Sequence, residues 1–220
     1  PTRSGGRPTQ RSPGGGTKGV AKNGAGNNGA GNNAAEAQEG GVTVIDTTSL
    51  KPMGFIATGA GHHEIAFSPD SRFAFVTNRD HGTVSVIDVA SRTKLKDIRT
   101  GSTPLALGYS ALSRMLYVSD GKDGSIAVID GAKLEVVKHI SAKPGLGPLK
   151  ITPDGRYALI VNTAENLVHV VDTASNELVQ QVPIKAQPYQ ITFSETYAYV
   201  RSLGSEQVSD LVSDPAGNLY

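Results

Sequence analysis

Apolar and polar residues alternate along this chain in runs that return at one spacing. Residues 73–88 read FAFVTNRDHGTVSVID, 115–130 read MLYVSDGKDGSIAVID and 157–172 read YALIVNTAENLVHVVD. A shorter GGVTVID ends at Asp46. The terminal aspartates, Asp46, Asp88, Asp130 and Asp172, stand 42 residues apart each time. Alternation of this kind predicts strands that send successive side chains to opposite faces. In the first full unit, EIAFS, RFAFVTN, TVSVID and TKLKDIRT are four such runs, separated by PDS, RDHG and VASR. Each separator has turn chemistry. Pro69 presets φ, Gly82 and its counterpart Gly124 accept positive φ, and the closing aspartate can bond its own backbone two residues on.

Both faces of the third strand are apolar. Val84 and Val86 lie on one face, Ser85 and Ile87 on the other, with equivalents Ile126/Val128 and Val168/Val170 further along. A sheet apolar on both sides is covered on both sides. Stacked copies of one four-stranded unit achieve this in a β-propeller or β-solenoid, and a 42-residue period suits propeller blades. The predicted fold class is all-β, with four-stranded antiparallel blades. Ile87, Ile129 and Val171 are expected in the core, with Val86, Val128 and Val170 covered opposite. The inner strands align as EIAFS, ALGYS, PLKIT and QITFS. Ile65/Phe67, Leu107/Tyr109, Leu149/Ile151 and Ile191/Phe193 form their packing face.

The stretches SPDSRFAFVTN…GTVSVID and TPDGRYALIVN…LVHVVD resemble the YVTN-type β-propeller repeat family over residues 40–214. They are also similar to the eight-bladed propellers that hold d1 haem. The resemblance implies that the chain enters mid-blade. Half a blade is expected at 41–57, whole blades at 64–98, 105–140 and 148–182, and a further half at 189–214, whose hairpin is two residues short. These make about four blade equivalents. At roughly 45–51° each, as in seven- or eight-bladed rings, they span about half a circle. An open, partial propeller is therefore expected, the more so because the chain starts at Pro rather than Met and stops abruptly. The remainder of the ring is an expected partner.

Residues 1–39 hold one Val and otherwise only Ala as apolar side chains, among Gly, Asn, Pro and Ser. Such a segment cannot offset its ordering entropy by burial and is expected to be disordered, with the repeat region at 40–220. Its five basic residues, Arg3, Arg7, Arg11, Lys18 and Lys22, face only Glu36 and Glu39, a net of +3. The rest has 16 basic and 18 acidic side chains, a net of −2, which argues against a nucleic-acid partner. No cysteine is present, so disulfides, thiolate metal sites and cysteine nucleophiles are excluded. No apolar run approaches the roughly 18 residues of a membrane span. Absence of cysteine is compatible with a periplasmic or cell-surface location, although no signal peptide is visible.

On the other face of the inner strands, Glu64/Ala66, Ala106/Gly108, Pro148/Lys150 and Gln190/Thr192 align. Lys150 stands where its counterparts are Ala, Gly and Thr. It is read either as a cation holding an anionic ligand at the channel or as a lysine whose stem packs while its amine reaches solvent. Glu64, Gln190 and Arg79 of the NRDHG turn complete the ligand candidates. GAGHHE places His62 and His63 on the loop face shared with His81, and neutral imidazoles there could ligate a metal or a haem iron. No nucleophile elbow, P-loop, HExxH or dinucleotide fingerprint occurs. DGKDG, at 120–124, lacks the distal glutamate of a calcium loop and is read as a turn. Two functions remain: a non-enzymatic binding scaffold for a protein or small anionic ligand, without cofactor, or a haem- or metal-dependent redox propeller.

Overall fold

The computed structural model describes residues 40–61, 64–185, 187–204 and 208–212. The segment 1–39, expected to be disordered, lies outside the described residues. Those described form strands, one 3-10 turn at Arg79–His81 and no α-helix.

A two-stranded sheet opens the fold, β1 (Gly41–Ile45) against β2 (Pro52–Ala57). Three four-stranded sheets follow. The first contains β3 (Ile65–Phe67), β4 (Phe73–Asn78), β5 (Thr83–Asp88) and β6 (Thr93–Arg99). The second contains β7 (Pro104–Ser110), β8 (Met115–Asp120), β9 (Ser125–Asp130) and β10 (Glu135–Ser141). The third contains β11 (Leu146–Ile151), β12 (Tyr157–Asn162), β13 (Leu167–Asp172) and β14 (Glu177–Pro183). The last sheet has three strands, β15 (Pro188–Phe193), β16 (Tyr197–Ser202) and β17 (Val208–Val212). Within every sheet, chain neighbours pair antiparallel in sequence order. The sheets are propeller blades, and no pairing among the described residues joins β1–β2 to β15–β17, so the ring is open.

β17 adds a third strand where the repeat leads to a half blade of two. The hairpin between β15 and β16 is two residues short, so the third strand ends two residues early. Tyr197 pairs with Val212 as Tyr157 pairs with Asp172.

The turns follow their predicted chemistry. Oδ1 of Asp46 accepts from the Thr48 and Ser49 amides at 3.1 and 2.6 Å. Asp130 accepts from Ala132 and Lys133 at 2.8 and 2.9 Å, and Asp172 from Ala174 and Ser175 at 2.9 and 2.8 Å. Asp88 accepts from the Ser91 amide and hydroxyl, each at 2.8 Å. Such bonds stabilise the anion, and all four carboxyls sit below their ordinary range, with backbone amides the largest cause. Gly82 and Gly124 take φ of 67° and 64° as expected.

Each pair of neighbouring sheets shares a core of its own. Phe75, Val84 and Val86 meet Leu107, Leu116 and Ile129; Tyr117, Ile126 and Val128 meet Leu149, Ile160 and Val171; Leu159, Val168 and Val170 meet Ile191 and Val200. Ile87, Ile129, Val171, Val86, Val128 and Val170 are all buried, as the double-sided pattern required. The inner-strand packing face is only partly so. Leu107, Leu149 and Ile191 are buried and Tyr109, Ile151 and Phe193 half-buried, but Ile65 and Phe67 are 42% and 51% exposed. Among the described residues the sheet before them has only two strands, β1 and β2, and leaves their inner end uncovered.

Candidate functional site

The inner strands bring three of the four ligand candidates to one place. Glu64, Leu105, Ala106, Pro148, Lys150, Tyr189 and Gln190 line a groove of about 420 Å³ across four successive sheets. It follows from the repeat: these residues lie on or just before the innermost strand of each sheet.

Glu64 is the hub. Its amide donates to Thr77 Oγ1 at 2.8 Å, anchoring it to its own sheet. Its Oε2 accepts from the Leu107 amide of the second sheet at 3.3 Å, and its Oε1 pairs with Lys150 Nζ of the third at 3.4 Å. Lys150 thus does face the groove, but with a carboxylate against it. A pair this exposed contributes about 0–1 kcal/mol, so a competing anion can displace the glutamate at small cost. Gln190 accepts from Arg201 Nη1 at 3.1 Å through its Oε1, which aims its amide group. Arg79 is not part of the groove lining. Its Nε pairs with its neighbour Asp80 at 3.0 Å on the 3-10 turn.

Side chains the sequence reading passed over hold the groove in shape. The second strands end in Asn78, Asp120 and Asn162, again at 42-residue spacing. Each catches a loop that leads towards or flanks an inner strand. Asn78 Oδ1 accepts from the Gly59 amide at 2.9 Å, Asp120 Oδ2 from Thr103 at 2.6 Å, and Asn162 Nδ2 donates to Lys143 O at 3.1 Å. One residue earlier, Thr77 and Ser119 donate across the junction to Leu105 O and Gly147 O at 3.2 and 2.8 Å. The recurrence was visible in FVTN, YVSD and LIVN; what the polar ends bind was not.

Among the histidine candidates, His62 and His63 lie outside the described residues. His81 closes the 3-10 turn, exposed, beside Gly59, where an added Cβ would come within 2.7 Å of its Nδ1. Among the described residues no three His, Asp or Glu side chains form a metal-sized cluster. His139 is on outer strand β10. His169 is buried with neither ring nitrogen hydrogen-bonded, and burial pushes its pKa down. It is a packing residue on an inter-blade face.

Residues 32–148 match the family model described as Cytochrome D1 heme domain. The chain belongs to this family. Among solved structures, the d1-type propeller region resembles "Dihydro-heme d1 dehydrogenase NirN in complex with DHE" at a TM-score of 0.70 and 19% identity, over 84% of this chain and 42% of that one. It resembles Kuenenia stuttgartiensis hydrazine synthase at 0.62 and 23%, over 69% and 45%. A functionally unknown protein from Desulfotomaculum acetoxidans gives 0.67 and 15%, over 77% and 57%. The chain therefore spans about half the length of these structures, and the likeness is one of fold. No curated protein matches the chain.

The donor set of the groove can be set against the group that gives the family its name. Leu105, Ala106, Pro148 and the half-exposed Tyr189 offer an apolar wall for a flat macrocycle, and Lys150 offers a cation for a carboxylate. No histidine is among the described residues that line it. Wall and cation fit; an iron ligand would have to come from outside them. Among the described residues no helix is long and apolar enough to cross a membrane.

Proposed function

We propose that this chain is a ligand-binding propeller segment, not a catalyst, and that its groove takes an anionic ligand on Lys150. The observation that carries this is the convergence of Glu64, Lys150, Gln190 and Tyr189 from separate sheets on one groove. Lys150 is a half-exposed cation at an inner-strand position, held by a half-buried carboxylate that an incoming anion can replace. The groove joins one carboxylate, one ammonium, one amide and one phenol, a set suited to holding an acid with an apolar body. A periplasmic or cell-surface setting goes with this reading. The test is calorimetric titration with small di- and tricarboxylates. Lys150→Glu should abolish binding, whereas Glu64→Gln, by releasing the lysine, should tighten it. An affinity indifferent to both substitutions sinks the proposal.

The family match favours a second reading, in which the ligand is a haem. When bound, haem would supply redox and ligand-binding chemistry at its iron. This chain would contribute the apolar wall and Lys150, with His62, His63 or His81 as candidate iron ligands. Haem added to the protein should then give a shifted Soret band that His62→Ala or His63→Ala alters. An unshifted spectrum, with tricarboxylate binding intact, leaves the first reading alone.

A further inference from the structure

We propose that the cleft between the first two four-stranded sheets is a second ligand site, for a flat aromatic acid carrying one negative charge. The proposal is independent of what the groove binds.

The cleft has a volume of about 710 Å³. Ser68, just past β3, and Tyr109, next to last in β7, both line it. It therefore lies at the opposite end of the inner strands from Glu64 and Leu105. Both of its walls are four-stranded sheets, β3–β6 and β7–β10.

The next junction shows why this one is open. There the Tyr117 hydroxyl lies 2.6 Å from Asn176 Oδ1 and 3.3 Å from Thr173 O, and Ser110 Oγ donates to Gly155 O at 2.7 Å. These contacts hold the second sheet against the third. At the first junction the corresponding positions, 42 residues earlier, hold Phe75, Leu134, Gly131 and Ser68. Phe75 has no hydroxyl and Leu134 no side-chain acceptor. Ser68 Oγ turns back to its own sheet and donates to Asp70 Oδ1 at 2.6 Å. Gly131 leaves the wall bare, and Tyr109 requires it to be so. The Tyr109 phenol donates to Arg114 O at 3.2 Å, and a Cβ on Gly131 would collide with it.

The opening suits a flat body. Packed sheets stand about 10 Å apart, and a ring touched on both faces needs roughly 7 Å between the atoms of its walls. Gly131 and Ala132 leave that room on the side of the second sheet. Apolar surface comes from Leu95 of the first sheet and from the half-buried Leu134 and Tyr109 of the second. Leu95 is the residue that the bulge between β5 and β6 leaves unpaired, and it is 51% exposed.

The charge is set by a recurring arginine. Arg72, Arg114 and Arg156 stand 42 residues apart. Arg72 lies over the Phe73 ring at 4.8 Å and Arg156 over the Tyr157 ring at 5.4 Å. Arg114 is followed by Met115 and stacks on no ring. Its guanidinium has no ion pair or hydrogen bond among the described residues. Arg114 is exposed and lines the cleft, with Arg72 on the opposite wall. Asp70, the one acid of the lining, is already engaged by the Ser68 hydroxyl and by the Arg72 amide at 3.1 Å. Two cations against one anion leave a net of +1, which matches a single carboxylate, and a free guanidinium can take that carboxylate through two parallel bonds.

The chain has no tryptophan, so the fluorescence anisotropy of 2-naphthoate can be followed without interference from the protein. It should rise saturably on titration with the whole chain. Arg114→Gln, at an exposed position, should weaken binding about tenfold. Ala132→Phe, also exposed, should fill the slot and remove binding. As competitors, neutral 2-naphthamide and open-chain octanoate should each be at least about tenfold poorer than naphthoate itself, and excess citrate should not displace the probe. Any of four results overturns the proposal: no saturable rise with the unaltered chain, unchanged affinity in Arg114→Gln or Ala132→Phe, octanoate or the amide competing as well as the aromatic acid, or displacement by citrate.

Discussion

Leu149 and Ile65 hold the same inner-strand position in two sheets, and truncating each to alanine should give very different results. Leu149 is fully buried among Tyr117, Ile126, Leu146 and Ile160, and its Cδ2 lies 2.7 Å from where a Cβ on Gly108 would stand. Leu149 thus packs closely over the Gly108 backbone, and its truncation leaves a void against the second sheet. Leu149→Ala therefore loses both transfer energy and packing, about 3 kcal/mol. In urea, with a slope of about 2 kcal/mol/M, the unfolding midpoint should fall by about 1.5 M. Ile65 is 42% exposed, because among the described residues the sheet before it has only two strands. Ile65→Ala should cost under about 1 kcal/mol in a dilute, monomeric sample. Intrinsic fluorescence of the tyrosines, read at equilibrium across a urea series, measures both. Equal losses at the two positions would refute the reasoning, since they would mean that Ile65 has cover in the single chain.

Three further outcomes are expected. Asp88, Asp130 and Asp172 have carboxyls held below the ordinary value of 3.8 by turn amides and, for Asp88 and Asp172, a serine hydroxyl. Their stabilisation is complete above the unfolded pKa and is lost as pH falls through the lower folded values. Asp130→Asn should thus flatten the acid limb of a stability–pH curve while changing little of its shape near neutrality. His169, its pKa lowered by burial with Glu165 and Lys143 nearby, remains neutral in the fold. Stability should therefore decline as pH falls below the ordinary histidine value of 6.5, and His169→Leu should abolish that decline and add about 1 kcal/mol in denaturant titrations. Tyr117→Phe removes the hydroxyl that donates to Asn176 Oδ1 at 2.6 Å across the second junction. It should cost about 1 kcal/mol by urea unfolding, whereas Phe75, its counterpart one repeat earlier, shows that the ring alone packs.

The blade pattern was legible because each strand is short, alternating and bounded by residues with a reason to turn. The 42-residue return of Asp46, Asp88, Asp130 and Asp172 set the period and the turn chemistry together. β17 was missed for an equally local reason. The 42-residue period leads to position 214, while the shortened β15–β16 hairpin moves the strand end to Val212. Exposure of Ile65 and Phe67 was hidden because alignment treats every inner strand as having a neighbour, and among the described residues the first has none. At the groove, Lys150 stood out against Ala, Gly and Thr. Its pairing with Glu64, 86 residues away, depends on how three sheets fan from a common axis, which no single repeat encodes. Tyr189 gave no signal either, since its counterparts at 105 and 147 are Leu and Gly.

The triple engagement of Glu64 makes the groove a gauge of curvature. One carboxylate spans three sheets through a 3.3 Å bond to the Leu107 amide and a 3.4 Å contact with Lys150. Both are long enough to be made or lost by small changes in the angle between blades. A ligand that displaces Glu64 from Lys150 therefore also releases the tie between the first and third sheets. By reciprocity, if the groove binds as proposed, whatever bends or flattens the arc would alter its affinity by the same coupling energy. Occupancy at the axis and the set of the blades around it are two readings of one equilibrium.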